Sequence, residues 1–588
     1  MSKEARMEFA EEMLPPKQAF VTSESLVSVL GVIYSHRKTS DGGDMYLTRF
    51  GIEHADLLEI DNWYEPAWFE AKRERLEGTS AVYRVPTKPV AGKSLDLVVK
   101  NCRVGENVPL ETRTLLEFIN TEFNSPWEEF ALVMELREGK FGPPEIRCNL
   151  QEPLAIYVPP ERMQAWQSGR SYEKINRIRA RHPGIDIDIL RQYKLIYGWI
   201  YGKDLVQLFS EAGFRAEALK EVLPPLTLKA MRDLETKGYV VVDMKPSHVV
   251  IGEEDTCSIE TVIAADEEDT RRLRAEMIGD LVSRGRFSIV DYELLIRTPV
   301  HEEEVYRTRR HSYLDDQRDR FIPTAMPTHL SAVDILGVPY VVGQAESTGG
   351  TLWVVGRNAR LFDYFLPERW RRTHAWKLSV NNEVYYTVTK DHIHLVWKTS
   401  RVGELPAPDD TCSFPEKLEA FGFNSPFEEF AIAQRLNEYA VPTVYMRAIY
   451  MTGASRAAPF IDQRRYDSHR SLRGADGRPL LRQNHDYITL RGYFNGPDWW
   501  VAQQTDRLCR PLNLEQALAK GLVDSSLQAR LFDRIQERLN TVGYDGSLLK
   551  ANDLLLALDP DNILLKDDGG LPEVRICNCE LIKKRGGV

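Results

Sequence analysis

Residues 237 to 251 read KGYVVVDMKPSHVVI. A helical stretch, Leu226 to Lys237, leads into Gly238 and Tyr239, an apolar run, the turn Asp243-Met244-Lys245-Pro246 and a second apolar run. Proline fixes its own backbone angle and donates no hydrogen bond, so Pro246 marks a tight loop between two strands. The loop holds a carboxylate and an ammonium group two residues apart. Downstream, the acidic stretch from Gly252 to Arg286 reads as a solvated hairpin or helical excursion. FSIVDYELL (287 to 295) then places Asp291 at the end of an apolar strand.

Upstream, alternating β-formers predict strands over Ala81 to Val85, Leu95 to Lys100, Ala155 to Val158 and Tyr193 to Tyr201. FNSPWEEFA (123 to 131) predicts a helix start, with Ser125 as N-cap, Pro126 in the first turn and Glu128 closing a capping box. Glu129 shares a face with Leu132, Val133 and Leu136. A carboxylate on an apolar face is costly unless a cation meets it, and Lys100 is the expected partner.

The same motif returns as FNSPFEEFA (423 to 431), and other stretches repeat in the same order. SLVSVLGVIYS (from Ser25) resembles SAVDILGVPYV (from Ser331), and KSLDLVVKNCRVGE (from Lys93) resembles HIHLVWKTSRVGE (from His392). A period of about 300 residues is far above that of solenoid repeats and indicates tandem duplication of a domain. The corresponding second ion pair is Lys398 with Glu429, beside Ile432, Ala433 and Leu436. The expected boundary is FIPTAMPTHL (321 to 330), where two prolines follow a charged helix-like run. This sets module 1 at 1–320 and module 2 at 331–588.

At 588 residues, 43% hydrophobic and 28% charged, the chain reads as globular protein with several cores. A net charge of −11 argues against a broad nucleic-acid surface. No basic n-region precedes an apolar stretch near Met1, and no 18 apolar residues run uninterrupted, so a cytoplasmic protein without a membrane span is expected. Seven scattered cysteines form no disulfide framework, and Cys577 and Cys579 read as alternate positions on one buried strand.

The Asp-x-Lys-Pro loop between helix and strand resembles the catalytic loop of the protein-kinase superfamily, and FSIVDYELL resembles the strand bearing that superfamily's metal-binding Asp. The resemblance covers about 81–295 and 384–582. It implies an α+β fold of two tandem bilobal kinase-like modules. It also implies binding of ATP with Mg²⁺ or Mn²⁺. Asp243 would be the base for an acceptor hydroxyl and Lys245 would steady the transferred phosphoryl group. Lys100 with Glu129 would position the other phosphates, and Asp291 with His248 would hold metal. His248 stands where the superfamily carries Asn; kinases of the lipopolysaccharide-core family, which phosphorylate sugars, also carry His there. The Phe-Gly that usually follows the metal-binding Asp is replaced by Tyr292 and Glu293. LEGTSAVYRV matches the glycine-rich nucleotide loop only at Gly78 and Val82, and ILRQYKLIYGWIYGKDL resembles the adenine-holding hinge.

Each module is short after its acidic strand, which implies a reduced C-lobe and an acceptor that is a small molecule, a sugar or a specific protein. In the second copy, ALDPDNILL (557 to 565) aligns Ala557 with the base and Asp559 with the lysine while keeping Pro560 and Asn562; Asn578 replaces Asp291. Module 2 then reads as a pseudokinase that regulates or scaffolds module 1. Two alternatives stand beside phosphoryl transfer: a tandem pseudokinase acting as a nucleotide-binding or interaction scaffold, and transfer of AMP. The segment from Ser25 to Asn62, repeated from Ser331, is expected to complete the shortened lobe.

Overall fold

The computed structural model describes residues 25–76, 81–102, 123–161, 191–346, 348–371, 373–379, 382–406, 414–453, 461–474, 477–493, 510–559, 561, 563–567 and 569–585. Gly78, Pro560 and Asn562 lie outside them. Helices and mainly antiparallel sheets occupy separate stretches of the chain, which is an α+β arrangement. Among the described residues no helix is long and apolar enough to cross a membrane. Among the described residues two compact units divide the chain, the first ending at Glu304 and the second beginning at Val305. The division falls inside a helix, Pro299–Arg318, formed by the charged run that precedes the two prolines.

In the first unit an eight-stranded antiparallel sheet runs across its width in the order Ser25–Val29, Val32–Lys38, Asp44–Leu47, Pro153–Val158, Lys194–Gly198, Asp96–Asn101, Val82–Pro86 and Glu74–Arg75. Side chains alternate between the two faces of a strand, and the lysine strand shows the consequence. Leu97 and Val99 join Met45, Leu47, Trp63, Val85 and Tyr157 in one apolar cluster. Lys100, one residue out of phase with Val99, meets the helix Pro126–Glu138 instead. That helix docks through Trp127, edge-on to Tyr34 and Tyr46, and through Phe130 against Tyr197.

The repeated segment after Ser25 therefore does not fill a shortened helical lobe. Its three strands widen the large sheet, because Asp44–Leu47 pairs directly with Pro153–Val158. Beyond the sheet come the helix Ala216–Thr236, the antiparallel pair Tyr239–Val241 with Leu295–Arg297, and a smaller sheet ordered Gly202–Asp204, Val249–Gly252, Ser288–Ile289, Asn149–Leu150. The acidic insertion is helical, as Glu253–Glu260 and Glu267–Ser283.

The second unit repeats the large sheet strand for strand: Leu330–Ile335, Val338–Ala345, Gly350–Val355, Met446–Met451, Tyr487–Gly492, His394–Thr399, Val384–Val388, Ala375–Lys377. Its helix Pro426–Glu438 docks through Phe427 against Tyr340 and Trp353. Arg510–Asn513, Leu554–Leu558 and Val574–Ile576 form the smaller sheet, and Tyr544–Asp545 pairs with Lys583–Lys584. Cys577 and Cys579 follow the last strand of the smaller sheet rather than lying on it, and Cys579 is buried. Burial pushes both thiols above their ordinary pKa, which leaves them protonated and poor metal ligands.

Candidate active site

The predicted capping box forms, and it recurs in the second copy of the motif. Ser125 Oγ accepts from the Glu128 amide at 3.3 Å while Glu128 Oε2 accepts from the Ser125 amide at 2.9 Å; at Ser425 and Glu428 the distances are 3.1 and 2.8 Å. With Glu128 engaged at the helix start, Glu129 turns to the sheet. Lys100 Nζ lies 3.6 Å from Glu129 Oε1, and Tyr197 donates to the same oxygen at 2.8 Å.

Lys100 has two further partners, Asp291 at 2.6 Å and Glu293 at 3.4 Å. Burial works against the ammonium charge, but Asp291, Glu129 and Glu293 together outweigh it and hold the Lys100 pKa well above its ordinary value. Burial dominates at Glu129 and pushes its pKa up to about 7 despite Lys100 and Tyr197. Burial also opposes the Asp291 charge, but Lys100 and His248 overcome it and bring the pKa down to about 2. Asp291 is thus ionised at neutral pH, and His248, its pKa lowered by burial, is neutral there.

The backbone of Asp291 sits at φ 69°, a left-handed conformation that costs a non-glycine residue energy. Two features hold it. The Val290 amide donates to the His248 carbonyl at 3.0 Å. Asn124, the second residue of the repeated motif, donates through its side-chain amide to the carbonyls of Tyr292 (3.3 Å) and Leu295 (2.8 Å), and its backbone amide donates to the Glu293 carbonyl (2.9 Å).

The loop 243–248 faces this cluster. Lys245 precedes a single 3₁₀ turn, Pro246–His248, and its Nζ lies 3.5 Å from Asp243 Oδ2. His248 Nε2 is 3.7 Å from Asp291 Oδ2. Carboxylate oxygens of Asp243, Asp291 and Glu293 lie within 4.8 Å of one another. Asp243 Oδ1 and His248 Nδ1 are shielded from solvent without a hydrogen-bond partner. All six residues singled out from the sequence, Lys100, Glu129, Asp243, Lys245, His248 and Asp291, thus gather around one locus. Three hard carboxylate groups this close together are the donor type that suits an oxygen-seeking divalent cation such as Mg²⁺ or Mn²⁺.

Sequence reasoning missed Glu293 and Asn124. Their signal was retention in both copies. In the second unit Lys398 meets Glu429 at 3.5 Å and Glu580 at 2.6 Å, and Asn424 donates to the carbonyls of Cys579 and Ile582 at 2.8 and 2.9 Å. Burial raises the Glu429 pKa to about 7, as at Glu129.

Strand register corrects the alignment of the second loop. Tyr239 pairs with Arg297 and Val249 with Ile289; Tyr544 pairs with Lys584 and Leu554 with Ile576, at the same spacings. Leu548 therefore occupies the place of Asp243, Lys550 that of Lys245, Asp553 that of His248, Asn578 that of Asp291 and Glu580 that of Glu293. Lys550 precedes a 3₁₀ turn, Ala551–Asp553, as Lys245 does. Ala557 is buried inside the following strand, and Asp559 accepts from the amides of Asp561 and Ile563 in a surface turn. The Asp-Pro-x-Asn spelling thus lies at the far end of the strand that follows the equivalent loop. The lysine survives in both copies, and an Asp553–Asn578 pair, bonded at 2.9 Å, stands where the first unit has His248 and Asp291. Asn578 also accepts from Lys398 at 3.0 Å.

Comparison with protein-family models and with curated proteins finds no match to this chain.

Proposed function

We propose that the first unit is an ATP-dependent phosphotransferase of the kinase-like kind and that the second unit is a degenerate copy that regulates or scaffolds it. The observation that carries this reading is the convergence of Asp243, Lys245, His248, Asp291 and Lys100 from separate segments of the chain. Asp243 has a buried oxygen with no partner, suited to accept the proton of an acceptor hydroxyl or to orient it. Lys245 is half-exposed beside it and can meet the charge of a transferring phosphoryl group. Asp291, already ionised, and Asp243 or Glu293 would hold a divalent ion, with His248 as a further donor on the same side. When bound, that ion would neutralise phosphate charge. Lys100 would exchange part of its contact with Asp291 for phosphate oxygens while Glu129 and Glu293 keep it in place.

A second reading, nucleotide binding without turnover, draws support from one contact. Lys100 lies nearer Asp291 than Glu129, 2.6 against 3.6 Å, so its charge is spent on the carboxylate that a metal needs. Calorimetric titration with ATP and Mg²⁺ or Mn²⁺, followed by transfer assays with label in the α or γ phosphate, separates the readings. Phosphoryl transfer predicts metal-dependent binding that Asp291→Ala abolishes and Asp243→Ala spares, with γ label on the acceptor and none for Asp243→Ala. Label from the α phosphate would establish AMP transfer instead. Binding with no transfer leaves the scaffold, and absence of binding with either metal sinks both readings.

A further inference from the structure

The C-terminal half of the helix Pro299–Arg318 belongs to the second unit and is tied to that unit's large sheet. Arg309 pairs with Asp391, Arg310 Nη1 donates to the His392 carbonyl at 3.1 Å, and Arg447 Nη1 donates to Gln317 Oε1 at 2.8 Å. Beside these contacts lies a cavity of about 40 Å³, lined among others by Arg310, Gln317, His392, His394 and Arg447. None of its described lining residues is a carboxylate. Both guanidinium residues are only 6% exposed.

Arginine does not escape burial by losing its proton, so a buried guanidinium needs an anion or a full set of acceptors. Arg310 has neither among the described residues: it donates to a neutral carbonyl, its guanidinium lies 5.9 Å from the centre of the Tyr306 ring, and its Nε has no hydrogen-bond partner. Backbone strain at the same spot adds an independent observation. His392 sits at φ 54° in a turn organised by Thr389, whose hydroxyl accepts from the amides of Asp391 and Ile393 at 3.1 Å each. Glycine would hold that conformation without strain, yet an imidazole is present, packed 4.2 Å from the Tyr306 ring and lining the cavity. Burial depresses the pKa of His394 to about 4, with the charges of Arg310 and His392 adding to it.

We propose that this cavity is an oxyanion site for a tetrahedral phosphate group, taken either as the free ion or as the head of a small monoester. The planar guanidinium fork matches such oxygens. A volume of 40 Å³ exceeds the roughly 10–15 Å³ that one water requires but is far below that of a nucleotide. His394 begins the strand that carries Lys398 near its other end, about 13 Å away at the ordinary rise per residue, so this site is separate from the Lys398 cluster. It does not depend on the phosphotransferase reading.

The test is calorimetric titration of the full chain with inorganic phosphate and, separately, with phosphoserine. Binding of phosphate that Arg310→Met weakens at least ten-fold, and Arg310→Lys by less, supports the proposal. His392→Gly relieves the backbone strain, so it keeps the fold while also weakening binding; this covers the case in which Arg310→Met fails to fold. Binding of phosphoserine as well as phosphate identifies a monoester site, and phosphate alone a free-ion site. Absence of phosphate binding, or binding untouched by Arg310→Met and His392→Gly, overturns the proposal.

Discussion

The lysine clusters of the two units share a plan and differ in what the lysine neutralises. Lys100 is held by Glu129 and Glu293 and also reaches Asp291, a strained and partly exposed carboxylate. Lys398 is held by Glu429 and Glu580, but its third partner is the amide of Asn578, which is absent from the residues at positive φ. The glutamates are thus the structural part of the cluster, common to both, and Asp291 is the part that only the first unit has. Substitutions placed at matching positions test this division.

The largest effect is expected from removing the lysines. Lys398→Met leaves Glu429 and Glu580, both at most 3% exposed, without a cation. Loss of one partner from a buried pair costs about 3–5 kcal/mol, which denaturant unfolding of the second unit should report. Lys100→Met should cost the first unit a similar amount and, on the phosphotransferase proposal, should unlike Lys398→Met also remove nucleotide binding. Equal loss of nucleotide binding in both variants would erase the distinction between the clusters.

The amide clamps come next. Asn124→Ala and Asn424→Ala each strip two hydrogen bonds from buried carbonyls. About 2 kcal/mol is expected in each unit, and in the first unit the strained Asp291 backbone should also relax. A comparison of amide hydrogen exchange around residues 290–295 and 577–582 would show protection lost in both but a larger change in the first. The caps set a smaller, symmetric reference: Ser125→Ala and Ser425→Ala should each cost about 1 kcal/mol in thermal unfolding.

The smallest difference is one of pH. Burial raises the pKa of Glu135, but Arg297, Tyr239 and His301 overcome it and leave the carboxyl below its ordinary value. A carboxylate held down in the folded state adds stability that is fully present above its unfolded pKa, ordinarily 4.5, and is lost as pH falls through the folded value. The second unit has Arg435 at the matching helix position and lacks this contribution. Unfolding followed from pH 6 downward should show an acid-side loss in the first unit that Glu135→Gln flattens.

Much of this architecture was legible in the chain itself. The capping boxes, the helix after FNSP, the strand lysines and their first glutamate partners follow from local rules: which side chain can cap an amide, and which face of a helix or strand is apolar. The duplication showed that both halves carry the same segments in the same order. Those rules failed where equivalence depended on register. ALDPDNILL spelled part of a motif, but the pairing of Leu554 with Ile576 places Lys550 and Asp553, not Ala557 and Asp559, at the second site.

What the sequence determined by itself was therefore the set of elements and the chemistry each one carries, because periodicity and capping act over a few residues. Only the tertiary structure decided which residues meet: Glu293 and Asn124 against the first site, Asp553 beside Asn578, and Arg310, Arg447 and His392 around one cavity. Those groups approach one another through strand pairing and helix docking, and long-range approach leaves no local pattern to read.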